Sequence, residues 1–217
     1  MGSLSRKEKE REIRRNDIID AAERVFSEKG YDLSTVDDVA KEAEFSKRTL
    51  YVYFNSKEQL YFEIMIKGYR LMIMQLQEEM PVCVKGNAKL RLKSMAEVLQ
   101  KFKSQNPFYF SAIMEYENNE KDFQKGIRDV SKEECYEMGE KLLEILINII
   151  EQGMEDGDFT TELQVKRTAM VLWSSLLGAF HTGEKKKNYL TNLVGVSPQE
   201  LITATFELLM EGLKRRN

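Results

Sequence analysis

Residues 34–57, STVDDVAKEAEFSKRTLYVYFNSK, constrain this chain more than any other stretch: two short amphipathic segments flank a turn, and the second crowds cations, hydroxyls and aromatics together. In the first segment Val36, Val39, Ala40 and Ala43 recur at three- and four-residue steps, with Asp38, Lys41 and Glu42 opposite, as in a helix burying one stripe. Ser34, followed three residues on by Asp37, forms a capping pattern that starts this helix. In the second segment Leu50 and Phe54 lie four apart and reach inward, which leaves Lys47, Arg48, Thr49, Tyr51 and Tyr53 on the outer surface. Because Leu50 and Phe54 claim the one buried face, the tyrosines are expected outside the core. Ser46 is a good N-cap, and a helix start carrying unpaired N–H groups beside two cations suits a phosphate. Such a pair of helices has the composition of a DNA-reading helix-turn-helix.

Upstream, NDIIDAAERVFSEKG predicts a supporting helix whose Ile18, Ala22, Val25 and Phe26 share a face and which Gly30 stops. Downstream, Ser56 and Gln59 form a capping box that opens a fourth helix and places Lys57 in its first turn. A cation there opposes the helix dipole at a cost of about 0.3–1 kcal/mol, so an anion is expected nearby. The stretch SLSRKEKEREIRRND is mixed in charge; it reads as a solvated extension of the first helix or as an arm reaching DNA.

The runs TVDDVAKEA, SKRTLYVYF and SKEQL resemble the DNA-binding segment of the TetR (tetracycline repressor) family of bacterial transcriptional regulators, over about residues 12–62. The resemblance implies that Thr35 contacts a phosphate, that Lys47, Arg48, Thr49, Tyr51 and Tyr53 form the exposed face of the recognition helix beside the cap Ser46, and that Lys57 binds a second phosphate. Two positions depart from the family pattern. Glu44 stands where a turn glycine is common, and Arg48 where Gly or Pro is frequent; the arginine adds a long donor able to read guanine or grip the backbone.

A chain of 217 residues with 42% hydrophobic content can bury a sizeable core, and a head of about fifty residues leaves room for a second domain. The division expected is 1–57 for the arm and helix-turn-helix and 58–217 for an effector-binding and dimerisation domain. A net charge of −3 with a pI near 5.5 argues against bulk non-specific nucleic-acid binding, yet leaves room for a local basic surface. Nothing resembles a signal peptide and no apolar run approaches ~20 residues, so a cytoplasmic protein without membrane contact is expected. Cys83 and Cys135 lack CxxC spacing and read as small buried hydrophobes.

The remainder reads as helix after helix, and with no period-two alternation of strand length the expected fold class is all-α. One helix runs to Pro81 and another over NAKLRLKSMAEVLQKFKSQ. Asn106 and Pro107 start a third; Ser131 with Glu134 caps a fourth and Thr161 with Gln164 a fifth; Ser197, Pro198 and Glu200 open the last. The stretch from Val165 to Phe180 is hydrophobic over more than one face, and the last helix aligns Ile202, Phe206, Leu209 and Leu213. The resemblance implies that these two helices form a four-helix homodimer interface, so that two recognition helices read a palindromic operator in double-stranded DNA.

Phe62, Met65, Tyr69, Met72, Phe110, Met114, Met138 and Trp173 combine soft and flat apolar side chains, which suits a ligand-binding pocket for a small, largely apolar effector; singly, such residues are ordinary core. His181 reads as structural or exposed. With one histidine, two distant cysteines, no HExxH and no Gly-rich phosphate loop, neither catalytic residues, a metal site nor a cofactor is expected, and the chain reads as a non-enzyme. The expectation is a dimeric, ligand-responsive transcriptional repressor. The competing reading is a helical protein–protein adaptor that does not bind DNA.

Overall fold

A computed structural model describes residues 5–117 and 130–214, with the side chains of 115–117 left aside. Among the described residues every regular element is helical: α1 (Arg6–Lys29), α2 (Val36–Glu42), α3 (Lys47–Tyr53), α4 (Lys57–Glu79), α5 (Ala88–Gln105), α6 (Pro107–Glu117), α7 (Val130–Glu155), α8 (Val165–Lys185), the single turn α9 (Lys187–Tyr189) and α10 (Pro198–Leu213), with a π-helical turn Leu190–Val194 before the last. The chain forms two compact units, residues 1–70 with 108–138 and residues 71–107 with 139–217.

In the first unit α1 begins at Ser5, whose side chain accepts from the Glu8 N–H while the Glu8 carboxylate accepts from the Ser5 N–H. Gly30 ends it at a φ of 80°, and its N–H caps the Phe26 carbonyl. Ile18, Ala22, Val25 and Phe26 are buried as their spacing predicts; α1 packs on α2 and α2 on α3, and Val39, Ala40, Leu50 and Phe54 are buried as well. Phe26, Tyr31 and Tyr61 form an aromatic knot with ring centroids 4.5–6.0 Å apart, in edge-on and tilted arrangements.

Three caps differ from the sequence expectation. Thr35, not Ser34, caps α2: its hydroxyl accepts from the Asp38 N–H, and Asp38 in return accepts from the Thr35 N–H. Ser34 is buried and donates to the Gly30 carbonyl at 2.6 Å, an interaction between loop and helix end that local spacing does not report. Ser131 lies inside α7 and not at its cap, where its hydroxyl donates to Glu63 at 2.7 Å. The start of α8 is Gln164, without a side-chain cap, rather than Thr161. Ser56 caps α4 through the Gln59 N–H at 3.0 Å, and α10 carries the capping box Ser197–Glu200 with Pro198 behind the cap.

In the second unit α8 packs along α10, and Gly183 lets Pro198 approach so closely that a Cβ would sit 3.1 Å from it. Gly153 of α7 makes a notch for Phe159; a Cβ there would lie 2.2 Å from the ring. Leu142, Leu146, Ile149 and Ile150 of α7 join Met95, Leu99 and Phe102 of α5 in the core. Cys135 is buried, but Cys83 is exposed in the segment after α4 beside Gln152, so the expectation of two buried thiols holds for one.

Candidate nucleic-acid interface and apolar cleft

The turn between α2 and α3 decides how α3 is aimed. Glu44 takes the left-handed conformation at φ 58°, and the Phe45 N–H reaches back to the Ala40 carbonyl at 2.9 Å, the closure of a glycine-type helix ending. Ser46 then caps α3, accepting from the Thr49 N–H at 3.0 Å. Leu50 and the following Phe54 are each 1% exposed, and they fix which side of this short helix faces the core.

The opposite side carries the residues singled out from the sequence. Ser46, Lys47 and Arg48 are exposed, Tyr51 is 48% exposed, and Thr49 and Tyr53 are half-buried at the margin. Val52, which the sequence reading passed over, is 64% exposed; its spacing from Arg48 on a helix was the available signal. The Lys47 ammonium donates to Asp37 at 2.9 Å, and that bond holds the lysine's pKa above its ordinary value. A surface pair of this kind contributes little and exchanges readily for another anion.

Thr35 is exposed, and its hydroxyl donates to Asp38 at 2.7 Å. Asp38 also accepts from Lys29 at 2.6 Å, and the bonds from Lys29 and Thr35 pull its carboxyl well below the usual range. Lys57 is half-buried. Its ammonium donates to the Tyr31 and Ser34 carbonyls at 2.7 and 2.9 Å and lies 4.1 Å from the Tyr31 ring centroid. It thus ties the loop before α2 to the start of α4, with one of its three N–H donors beyond those two carbonyls.

Behind this surface, polar groups that the sequence reading did not find hold α1 to α4. Glu63 pairs with Arg15, whose guanidinium also lies 5.3 Å from the Phe54 ring centroid, and accepts the Ser131 hydroxyl. One turn on, Lys67 donates to Glu23 at 2.7 Å and Asp20 at 3.2 Å. The signal available was the charged stripe Glu63, Lys67, Arg70 at helical spacing in an otherwise apolar helix.

Of the residues expected to line an effector pocket, Phe62, Met65, Tyr69 and Phe110 are buried in the first unit, with Met114 and Met138 half-buried there. Met72 is buried and Trp173 half-buried in the second unit. Trp173 lines a narrow apolar cleft of about 30 Å³ together with Leu92, Met95, Leu99, Leu146, Leu172, Leu176, Phe206 and Leu209. His181 is exposed. Among the described residues no group of His, Cys, Asp and Glu is placed to hold a metal ion, and no helix is long and apolar enough to cross a membrane.

A capped α3 with its apolar edge buried and its cationic, aromatic edge exposed, stacked on α2 and α1, is a helix-turn-helix DNA-binding domain. Residues 18–64 match the model of the bacterial regulatory proteins of the tetR family, so the helix-turn-helix segment is of that family's type. Among its relatives, the fatty acid metabolism regulator protein of Bacillus subtilis is 27% identical over 202 residues, covering 92% of this chain and 95% of that one. The negative transcriptional regulator IcaR of the biofilm operon of Staphylococcus aureus is 52% identical over 44 residues, 20% of this chain and 24% of that one. The crystal structure of the transcriptional regulator FadR from Bacillus subtilis in complex with stearoyl-CoA superposes with a TM-score of 0.64 at 21% identity, covering 91% of this chain and 98% of that one.

Proposed function

We propose that the chain is a dimeric repressor released from a palindromic operator by a long-chain fatty acyl thioester. The observation that carries the DNA reading is the division of α3: Leu50 and Phe54 fill the core while Lys47, Arg48 and Tyr51 stay exposed. Arg48 and Tyr51 read base edges, Tyr53, Thr49 and Ser46 flank them, and Lys47 leaves Asp37 for a phosphate. Thr35 and Lys57 position α2 and α4, and the remaining Lys57 donor is available to the backbone.

One recognition helix of seven residues reads few base pairs. Two of them on a two-fold axis read half-sites about 34–36 Å apart. A second stripe on each of the two long helices supports the dimer. On α8, Val171 is 48% exposed, Ser174 is exposed, and Gly178 has open space where a Cβ would stand. On α10, Ala204 is exposed, Leu208 is 75% exposed, and Gly212 again faces open space. Small and apolar residues at helical spacing, left uncovered in one chain, suit packing against a second copy.

The effector assignment is supported by the apolar cleft beside Trp173 and by the comparisons with Bacillus subtilis regulators, where the sequence match is named for fatty acid metabolism and the solved structure holds stearoyl-CoA. The cleft is too small for a long acyl chain as it stands. Binding therefore selects a widened form, and a shift from nearly full to nearly empty operator occupancy requires a roughly 10⁴-fold preference for that form. Met72 lies in the same unit as the cleft, whereas Phe62, Met65, Tyr69, Phe110, Met114 and Met138 form a separate adaptable apolar set in the first unit.

The test is a duplex selected by the protein from a random-sequence library, titrated by fluorescence anisotropy with and without stearoyl-CoA. Expected are a palindromic selected sequence, a weaker complex with stearoyl-CoA, and no effect of coenzyme A alone. Undiminished affinity at saturating stearoyl-CoA refutes the effector assignment; failure to enrich any duplex refutes the DNA reading and favours the adaptor.

A further inference from the structure

The first turns of α1 extend well past the core that the rest of this helix covers. From Ile18 onward its inner face is apolar and buried, through Ala21, Ala22 and Val25. On a projection of about 100° per residue, the residues within about 60° of Ile18 toward the amino end are Lys7, Arg11, Arg14 and Arg15. Glu8, Glu10, Glu12 and Asp17 all fall outside that sector, as do Arg6 and Lys9. The face is thus apolar where it meets α2 and cationic where it overhangs.

Arg15 is engaged by Glu63 and Phe54. Lys7, Arg11 and Arg14 are exposed, whereas Arg6, on the outward side, pairs with Glu10 at 3.1 Å. The capping box at Ser5 keeps the overhang helical, so Lys7 stands about 16 Å beyond Ile18 along the axis. A helix stabilised only by solvation has no reason to sort its charges by sector; intrahelical pairs alternate signs along one face.

The charge of that sector identifies the occupant: Lys7, Arg11 and Arg14 are exposed cations with no acid among them. The inner face of α1 packs on α2, and α2 packs in turn on α3, whose Lys47, Arg48 and Tyr51 are exposed. We infer that Lys7, Arg11 and Arg14 form a second DNA-contacting element, which grips backbone phosphates flanking the bases read by α3. Charge complementarity, on the same helical unit as the recognition helix, commits the face to a duplex. The inference rests on the DNA reading above and adds positioning contacts that carry no sequence preference of their own.

Two variants of equal net charge test it on the duplex that the wild-type chain selects from a random-sequence library. Lys7→Gln/Arg11→Gln removes two inner cations, and Arg6→Gln/Lys9→Gln removes two outer ones; thermal melting verifies that both fold. The inner pair is expected to reduce the slope of log affinity against log salt by roughly 2 per chain, at about 0.9 per lost phosphate contact, while the ranking of mismatched duplexes stays unchanged. The outer pair is expected to leave the slope within error. Equal effects of the two pairs, or none from the inner pair, overturn the assignment while the DNA reading stands; a wild-type chain that selects no duplex overturns both.

Discussion

The ammonium of Lys67, on α4, sits 2.7 Å from the carboxylate of Glu23, on α1, and so ties the helix beneath the recognition surface to the helix that follows it. Asp20 at 3.2 Å and the ring of Tyr109, 5.8 Å to its centroid, complete the cluster. Burial works against the lysine's charge, but its bonds to Glu23, Tyr109 and Asp20 outweigh that and raise its pKa. Lys67→Met keeps the aliphatic stem and removes the cation. Because Lys67 and Asp20 are partly exposed, the expected loss is about 1 kcal/mol rather than the cost of a buried pair. A double-mutant cycle with Glu23→Gln in urea unfolding measures the coupling; a value near zero would mean that the pair adds nothing to the link between α1 and α4.

Glu44 gives a second prediction, of opposite sign. A non-glycine residue in the left-handed region costs about 1–2 kcal/mol, and glycine returns about 0.5–1 of that through its freer unfolded chain. With φ at 58°, Glu44→Gly is expected to stabilise the protein by up to about 1 kcal/mol. Glu44→Ala retains the strain and serves as the control. Unfolding midpoints for the two variants decide it: equal midpoints would show that backbone strain is not what glycine relieves here.

The helix-turn-helix was legible because its signals are local. Leu50 and Phe54 four apart, Ser46 before two cations, and Gly30 at a helix end each carry their meaning within a few residues. Caps were misread where a distant group competed for the hydroxyl. Ser34 and Thr35 precede consecutive acids, so both frames fit the sequence; the Gly30 carbonyl takes Ser34 and leaves the cap to Thr35. Ser131 was read as a cap because its partner, Glu63, lies 68 residues away. The apolar cleft was harder still. Aromatic and sulfur side chains mark core and pocket alike, and only packing separates Trp173 on the cleft wall from Phe62 in the interior.

Asp37 supplies a functional prediction. It holds Lys47 at 2.9 Å and is itself well exposed, so it places a negative charge beside the proposed phosphate track and occupies one of the track's cations. Asp37→Asn frees Lys47 and removes the repulsion. Operator affinity is expected to rise several-fold at low salt, with the gain shrinking as salt screens the charge. The bond to Lys47 contributes little to the fold, so the melting temperature should stay nearly constant. Anisotropy titrations at two salt concentrations provide the measurement, and unchanged affinity at low salt would place Lys47 off the phosphate track.

Alkaline pH probes the packing behind the interface. Burial, with Glu58 and Asp32 nearby, pushes the Tyr31 phenol up to about 12 from its ordinary 10.0. Burial and the bond to Glu23 push Tyr109 up to about 12 as well, against the opposing pull of Lys67. Between those values the unfolded chain has released phenolic protons that the folded chain keeps. Unfolding therefore becomes easier as pH rises: the stabilisation is complete below about pH 10 and lost by about 12. The raised Lys67 acts in the same direction, since its charged form is the one the fold favours. Urea midpoints measured across this window should fall for the wild type. Tyr31→Phe/Tyr109→Phe should flatten the fall without abolishing it, because Lys67 still titrates; an unaltered slope in the double variant would show that neither phenol is held by the fold.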